Sequence, residues 1–99
     1  MIRGTTPTLE FVLPFDVSEL ATAWVTVAQN GDVVVDKPLS DCRCEGNKLS
    51  LRLTQEDTLK LQCNIVAEIQ IRALTVGGDA IASDIIREVP ARILKDGVI

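Results

Sequence analysis

At 99 residues the chain has room for one domain. With 46% hydrophobic but only 3% aromatic residues, its core has to be built from Val, Ile, Leu and Ala around Trp24, Phe11 and Phe15. The 10 basic residues against 14 acidic ones leave a net charge of −4 and never form a run of three, which argues against a nucleic-acid partner, because phosphates require a basic footprint.

In chain order, Pro7–Leu13 alternates Leu9, Phe11 and Leu13 with Thr8, Glu10 and Val12, the period of a half-buried strand, and Pro14 ends it. Phe15–Leu20 has the grammar of one helical turn: Asp16 to cap it, Glu19 to close a capping box and Phe15 to staple onto Leu20. Thr22–Gln29 reads as a strand with Trp24 on one face and Val25 and Val27 on the other. Asn30-Gly31 then marks a two-residue hairpin turn, since both central positions need positive φ. The returning Asp32–Lys37 carries Val33, Val34 and Val35 in a row, so it is expected to be covered on both faces, once by the core and once by something else.

Leu39–Cys44 reads as a short strand, turned by Glu45-Gly46-Asn47 into Lys48–Leu53, where Leu49, Leu51 and Leu53 alternate with polar residues. Thr54-Gln55-Glu56-Asp57 has a capping residue and acidic first-turn residues for a helix of one or two turns through Lys60. The most regular stretch is Asn64–Leu74. Ile65, Ala67, Ile69, Ile71 and Ala73 occupy alternate positions, opposite Glu68, Gln70 and Arg72, and Ala80–Val89 returns beside it across Gly77-Gly78-Asp79. Pro90–Ile99, with Ile93, Leu94, Val98 and Ile99, is too apolar for a solvated tail and reads as a docking segment of the single 1–99 domain.

Seven short strands with turn signals every 8–12 residues point to an all-β fold, an antiparallel β-sandwich of immunoglobulin-like general form with one or two single-turn helices; a small open barrel is the alternative. The reactive groups do not assemble into a catalytic pattern. There is no histidine, so the usual partner of Ser18, Ser40, Ser50, Ser83 or a thiol is missing. Cys42, Cys44 and Cys63 supply three of the four ligands a closed zinc site wants and read instead as reduced, structural thiols, the first two on one strand face. Asp79 near Gly77 and Gly78, and the pairs Asp79/Asp84 and Asp41/Glu45, fall short of a calcium loop or an acid/base couple. Neither a metal nor a cofactor is expected. Trp24 could be a sugar-stacking platform, but the scarcity of rings favours it as the largest side chain of the core.

Several segments carry a resemblance. Arg3-Gly4-Thr5-Thr6-Pro7-Thr8, Leu13-Pro14-Phe15-Asp16, Leu53-Thr54-Gln55-Glu56-Asp57-Thr58, Ile69-Gln70-Ile71-Arg72 and Gly77-Gly78-Asp79-Ala80-Ile81-Ala82-Ser83-Asp84-Ile85-Ile86 resemble small prophage proteins of Gram-positive bacteria encoded among tail and baseplate genes, over nearly the whole chain. In strand order the chain is also remotely similar to the N-terminal β-sandwich domain of phage baseplate upper proteins. It departs from that family in ending at Ile99 without the receptor-binding-protein anchor. The resemblance implies a virion or tail-assembly role in several copies and carries over no catalytic residue.

The resulting expectation is a non-enzymatic structural or assembly protein of a phage tail. Its partners would be copies of itself and other tail proteins, met through sheet edges and an interface drawn from Val33, Val34, Val35, Ile93, Leu94, Val98 and Ile99. A carbohydrate- or host-surface-binding module using the loops at one end of the sandwich is the alternative. No apolar run reaches the roughly 20 residues that span a bilayer, and Met1–Pro7 lacks the apolar centre of a secretion signal. No membrane partner is therefore expected, and the expected place is the host cytoplasm during assembly, then the virion.

Overall fold

A computed structural model describes residues Met1–Ile99. Eight strands run in chain order: β1 (Thr8–Val12), β2 (Leu20–Gln29), β3 (Asp32–Pro38), β4 (Arg43–Glu45), β5 (Lys48–Arg52), β6 (Ala67–Thr75), β7 (Ala80–Ala82) and β8 (Ile86–Glu88). One short helix, α1 (Gln55–Leu59), lies between β5 and β6. A three-stranded sheet, β1-β5-β4, packs on a larger one, β3-β2-β6, whose far edge is shared by β7 and β8. All strand pairings are antiparallel. The fold is thus the antiparallel sandwich of immunoglobulin-like general form, with a strand order of its own.

Side-chain alternation decides what lies between the layers. Ala23, Val25 and Val27 of β2 pair across the ladder with Ala73, Ile71 and Ile69 of β6, and all six are buried. Phe11 of β1 and Leu49 and Leu51 of β5 close on them from the smaller sheet, with Leu13, Leu53 and Leu61 sealing the ends. Leu49, Leu51 and Leu53 have essentially no exposure. Each contributes roughly 1.5–3 kcal/mol relative to an exposed position. Paired residues share a face, so Trp24, on the opposite parity from Val25, stands on the outer face with 45% exposure. The core placement expected for Trp24 is therefore corrected. Its flanking residues Thr22 and Thr26 go out with it.

The Asn30-Gly31 hairpin forms as expected, with φ of 52° and 80°. A bulge opposite Val27 and Ala28 then takes up Val34, so the three valines part company. Val35 is buried, Val34 half-buried and Val33 exposed. Within the chain only the Val35 side of β3 is covered, and Val35, expected among the interface residues, belongs to the core. Leu39–Asp41 forms a 3-10 turn closed by the Cys42 N–H on the Leu39 carbonyl (2.9 Å), because the chain must leave the larger sheet there before β4 joins the smaller one. The strand expected over Leu39–Cys44 is therefore only its last part.

The central strand starts at Ala67, not Asn64. Asn64 sits at φ 63° in a turn, its N–H held by the Pro90 carbonyl (3.0 Å). Gln29, buried at the end of β2, fixes that turn with its whole amide. Nε2 donates to the carbonyls of Gln62 (2.8 Å) and Ile65 (3.0 Å), and Oε1 accepts the Gln62 N–H (2.8 Å). The return strand is broken in the middle at Ser83. Its N–H reaches the Ile71 carbonyl (3.0 Å), while its Oγ accepts the Ile71 N–H (3.2 Å), so a hydroxyl replaces a ladder carbonyl and the strand restarts at Ile86.

Thr54 caps α1 in a complete capping box. Its hydroxyl accepts the Asp57 N–H, and the Asp57 carboxylate accepts the Thr54 N–H. The other Asp57 oxygen meets Lys37 Nζ of β3 at 3.2 Å. By contrast, Asp16 caps the 3-10 turn Val17–Glu19 by accepting the Ser18 N–H (2.9 Å).

Two stability predictions follow from these polar contacts. Burial pushes the Asp57 carboxyl up, but the Thr54 N–H, Lys37 and the Thr54 hydroxyl outweigh it and leave Asp57 below its ordinary 3.8. With the folded-state value depressed, ionised Asp57 stabilises the fold above 3.8, and this is lost as pH falls through the folded-state value. Asp57→Asn is expected to lower the urea midpoint at neutral pH and to flatten its decline below about pH 4; a decline as steep as the wild type's would show that other groups control it. Gln29→Leu strips partners from three backbone groups and is expected to cost about 2 kcal/mol or more in urea unfolding.

Candidate interaction surfaces

Three surfaces differ sharply in chemistry. The outer face of the smaller sheet is polar apart from exposed Val12 at the end of β1. Glu10, Arg43, Glu45, Lys48 and Arg52 share it, with Lys48 Nζ 3.8 Å from the Glu10 carboxylate. Such mixed, exposed charge is a solvated face, and its ion pair is worth little.

The second surface is the C-terminal segment and what it crosses. Ile2 forms a parallel bridge with Ala91: the Arg3 N–H donates to the Ala91 carbonyl (3.0 Å) and the Ala91 N–H to the Met1 carbonyl (2.8 Å). The Met1 amino group pairs with Glu88. Pro90 is buried, and the half-buried Ile93 lies against Gly4. A side chain at Gly4, already at φ 74°, would begin 2.9 Å from Ile93 Cδ1. Arg3 donates to the carbonyls of Leu61 (2.7 Å) and Leu59 (2.9 Å) at the end of α1 and approaches Asp96 at 3.9 Å. At the far end the Gln55 amide clasps the main chain of Ile99 by two hydrogen bonds, 3.1 and 2.9 Å.

Of the candidate interface residues in this segment, Ile93 is therefore partly committed to the fold. Leu94 (91%) and Ile99 (90%) stand almost fully in solvent, with Val98 also exposed. Also exposed are Ile85, Ile86 and Val89 along the β8 return, and Ile2. Sequence reasoning passed over Ile85, Ile86 and Val89 because it placed them in a regular strand. Val33 is exposed at the other edge of the large sheet, on β3.

The third surface is the outer face of the larger sheet, where the ladder sets Trp24 beside Arg72, and Arg72 beside Ala82. Thr22, Thr26, Asp36 and Leu74 complete a shallow depression of about 530 Å³. The Thr26 hydroxyl donates to Asp36 at 2.7 Å. A smaller apolar cleft of about 260 Å³ opens where the layers part, lined by Leu13, Phe15, Ile71 and Ile81; Phe15 rests there, half-buried.

The thiols do not converge. No three residues among Cys, Asp and Glu come together as a metal cluster, and all three cysteines are free. Cys44 is exposed at the edge of β4 rather than buried, which corrects its structural reading, while Cys42 is half-buried behind it. Burial, then the neighbouring Cys44 and Asp41, push the Cys42 thiol up to about 11.

Compared with protein-family models, with curated proteins and with solved structures, the chain finds no match.

The cysteine environments make a direct prediction. Brief iodoacetamide treatment at about pH 8 should alkylate Cys44 ahead of Cys42, since the thiolate is the reacting form. Peptide mass mapping reads the order, and faster labelling of Cys42 would contradict the burial described.

Proposed function

We propose that the chain is a non-enzymatic docking module that acts by holding other protein chains. The observation that carries this reading is the number of aliphatic side chains left in water over one stretch of chain, Ile85, Ile86, Val89, Leu94, Val98 and Ile99. Large exposed apolar patches on small soluble domains mark sites of association, and these residues lie on segments that contribute little to the core. Exposure of Leu94 and Ile99 is hard to reconcile with a role in folding, since a side chain about nine-tenths exposed gains almost nothing from the hydrophobic effect.

The resemblance to small prophage tail and baseplate proteins supplies the setting. In that setting the module is a virion or tail-assembly component present in several copies, and its neighbours are copies of itself and other tail proteins. The free edges of the sandwich suit such contacts unequally. The bulge at Val34 and Pro38 blunt β3, and the break at Ser83 interrupts the β7–β8 edge, devices that discourage open-ended strand pairing. Exposed aliphatic side chains of the C-terminal stretch, more than backbone edges, therefore carry the contact.

Removing Pro90–Ile99 whole would also remove buried Pro90 and the Ile93 seat, so that truncation mixes folding with association. Leu94→Ser combined with Val98→Ser and Ile99→Ser is the cleaner variant. It is expected to stay folded, with stability within about 1 kcal/mol of the wild type. The native mass at micromolar concentration should exceed one chain for the wild type and fall for the variant. A wild-type monomer that also captures no other tail protein of its prophage would refute the docking role.

A further inference from the structure

The Trp24–Arg72 face is chemically unlike the apolar C-terminal stretch and asks for a different occupant. We propose that it binds a pyranose ring bearing a carboxylate, a hexuronic acid unit. Trp24 and Arg72 are directly paired across β2 and β6, which puts their Cβ atoms about 5 Å apart on one face. The indole is 45% exposed on this face, between its cross-strand neighbours Arg72 and Pro38 and flanked along β2 by Thr22 and Thr26, so part of the ring stays open to solvent. A part-exposed aromatic ring beside hydrogen-bonding groups suits a ligand with one apolar face and a polar rim, and a pyranose is such a ligand.

Charge selects the kind of sugar. The other basic residue on this face of the ladder, Arg87, is tied to Glu68 at 3.5 Å, whereas no carboxylate lies within ion-pair distance of Arg72. A guanidinium without a partner, in a chain of net charge −4, offers a planar fork that a carboxylate meets with two parallel hydrogen bonds. Asp36, oriented by the Thr26 hydroxyl, lies in the same depression. It can accept hydrogen bonds from sugar hydroxyls, and its negative charge disfavours a doubly charged phosphate more than a singly charged carboxylate. Ring over Trp24, carboxylate on Arg72 and hydroxyls toward Asp36 use each group once.

The chain has one Trp and no Tyr, so intrinsic fluorescence reports this face alone. Titration of the full chain with glucuronate, and with a short oligomer of it, is expected to change Trp24 emission saturably. The neutral methyl ester and glucose should bind at least about tenfold more weakly, as should glucuronate to Arg72→Gln, given the strength of a charge-assisted bidentate contact. Arg72→Lys, which keeps the charge but loses the fork, should fall between. The ester comparison needs no variant, so it decides the matter even if Arg72→Gln folds poorly. No response to glucuronate, an equal response to glucose, or a stronger one to glucose 6-phosphate or to a poly-glutamate peptide overturns the proposal.

Discussion

The ladder between β2 and β6, running from Gln29 opposite Ala67 to Leu20 opposite Thr75, is the constraint from which the rest follows. Both strands are central to the larger sheet, and period-2 alternation means that their register assigns every side chain to core or solvent at once. With Val25 and Val27 set against Ile71 and Ile69, the layer facing β1 and β5 is wholly aliphatic. The same register sends Trp24 and Arg72 outward together. A slip of β6 by one residue would bury the guanidinium and turn Ile69 and Ile71 out to solvent, a loss no peripheral contact could offset.

Polar side chains then finish what the ladder begins. Gln29 ties down the turn before β6, Ser83 patches the break in its partner, and the Asp57 capping box joins α1 to Lys37 across the open end of the sandwich. No buried side-chain nitrogen or oxygen is left without a partner, as expected where an unpaired group costs more than a paired one contributes. The two outer faces diverge because nothing folds over either. One became a mosaic of charge, the other a ring and a guanidinium set among Thr22, Thr26, Asp36 and Leu74.

Much of this was legible in the residues alone. The alternation of Ile69, Ile71 and Ala73 against Gln70 and Arg72, the Asn30-Gly31 turn and the Thr54 cap all depend on local chemistry, and each appears where the residues place it. Trp24 was misjudged because its type was weighed above its company. Ala23, Val25 and Val27 share the opposite parity, and Thr22 and Thr26 share its own, which already named the wet side. Val34 and Ser83 were opaque for a different reason. A bulge, or a hydroxyl standing in for a carbonyl, answers to the neighbouring strand, which no local window contains. The Gln29 clasp likewise joins residues 33 and 36 positions apart. The outer face and the clean exposure of Leu94 and Ile99 emerge only once the layers are stacked.

The grip of Gln55 on the end of the chain touches only main-chain atoms of Ile99. Such a tether is blind to side-chain identity. Positions 94, 98 and 99 can therefore drift through many residue types without the segment coming loose; under the docking role proposed above, a lineage could retune the contact there while the body of the protein stays as it is.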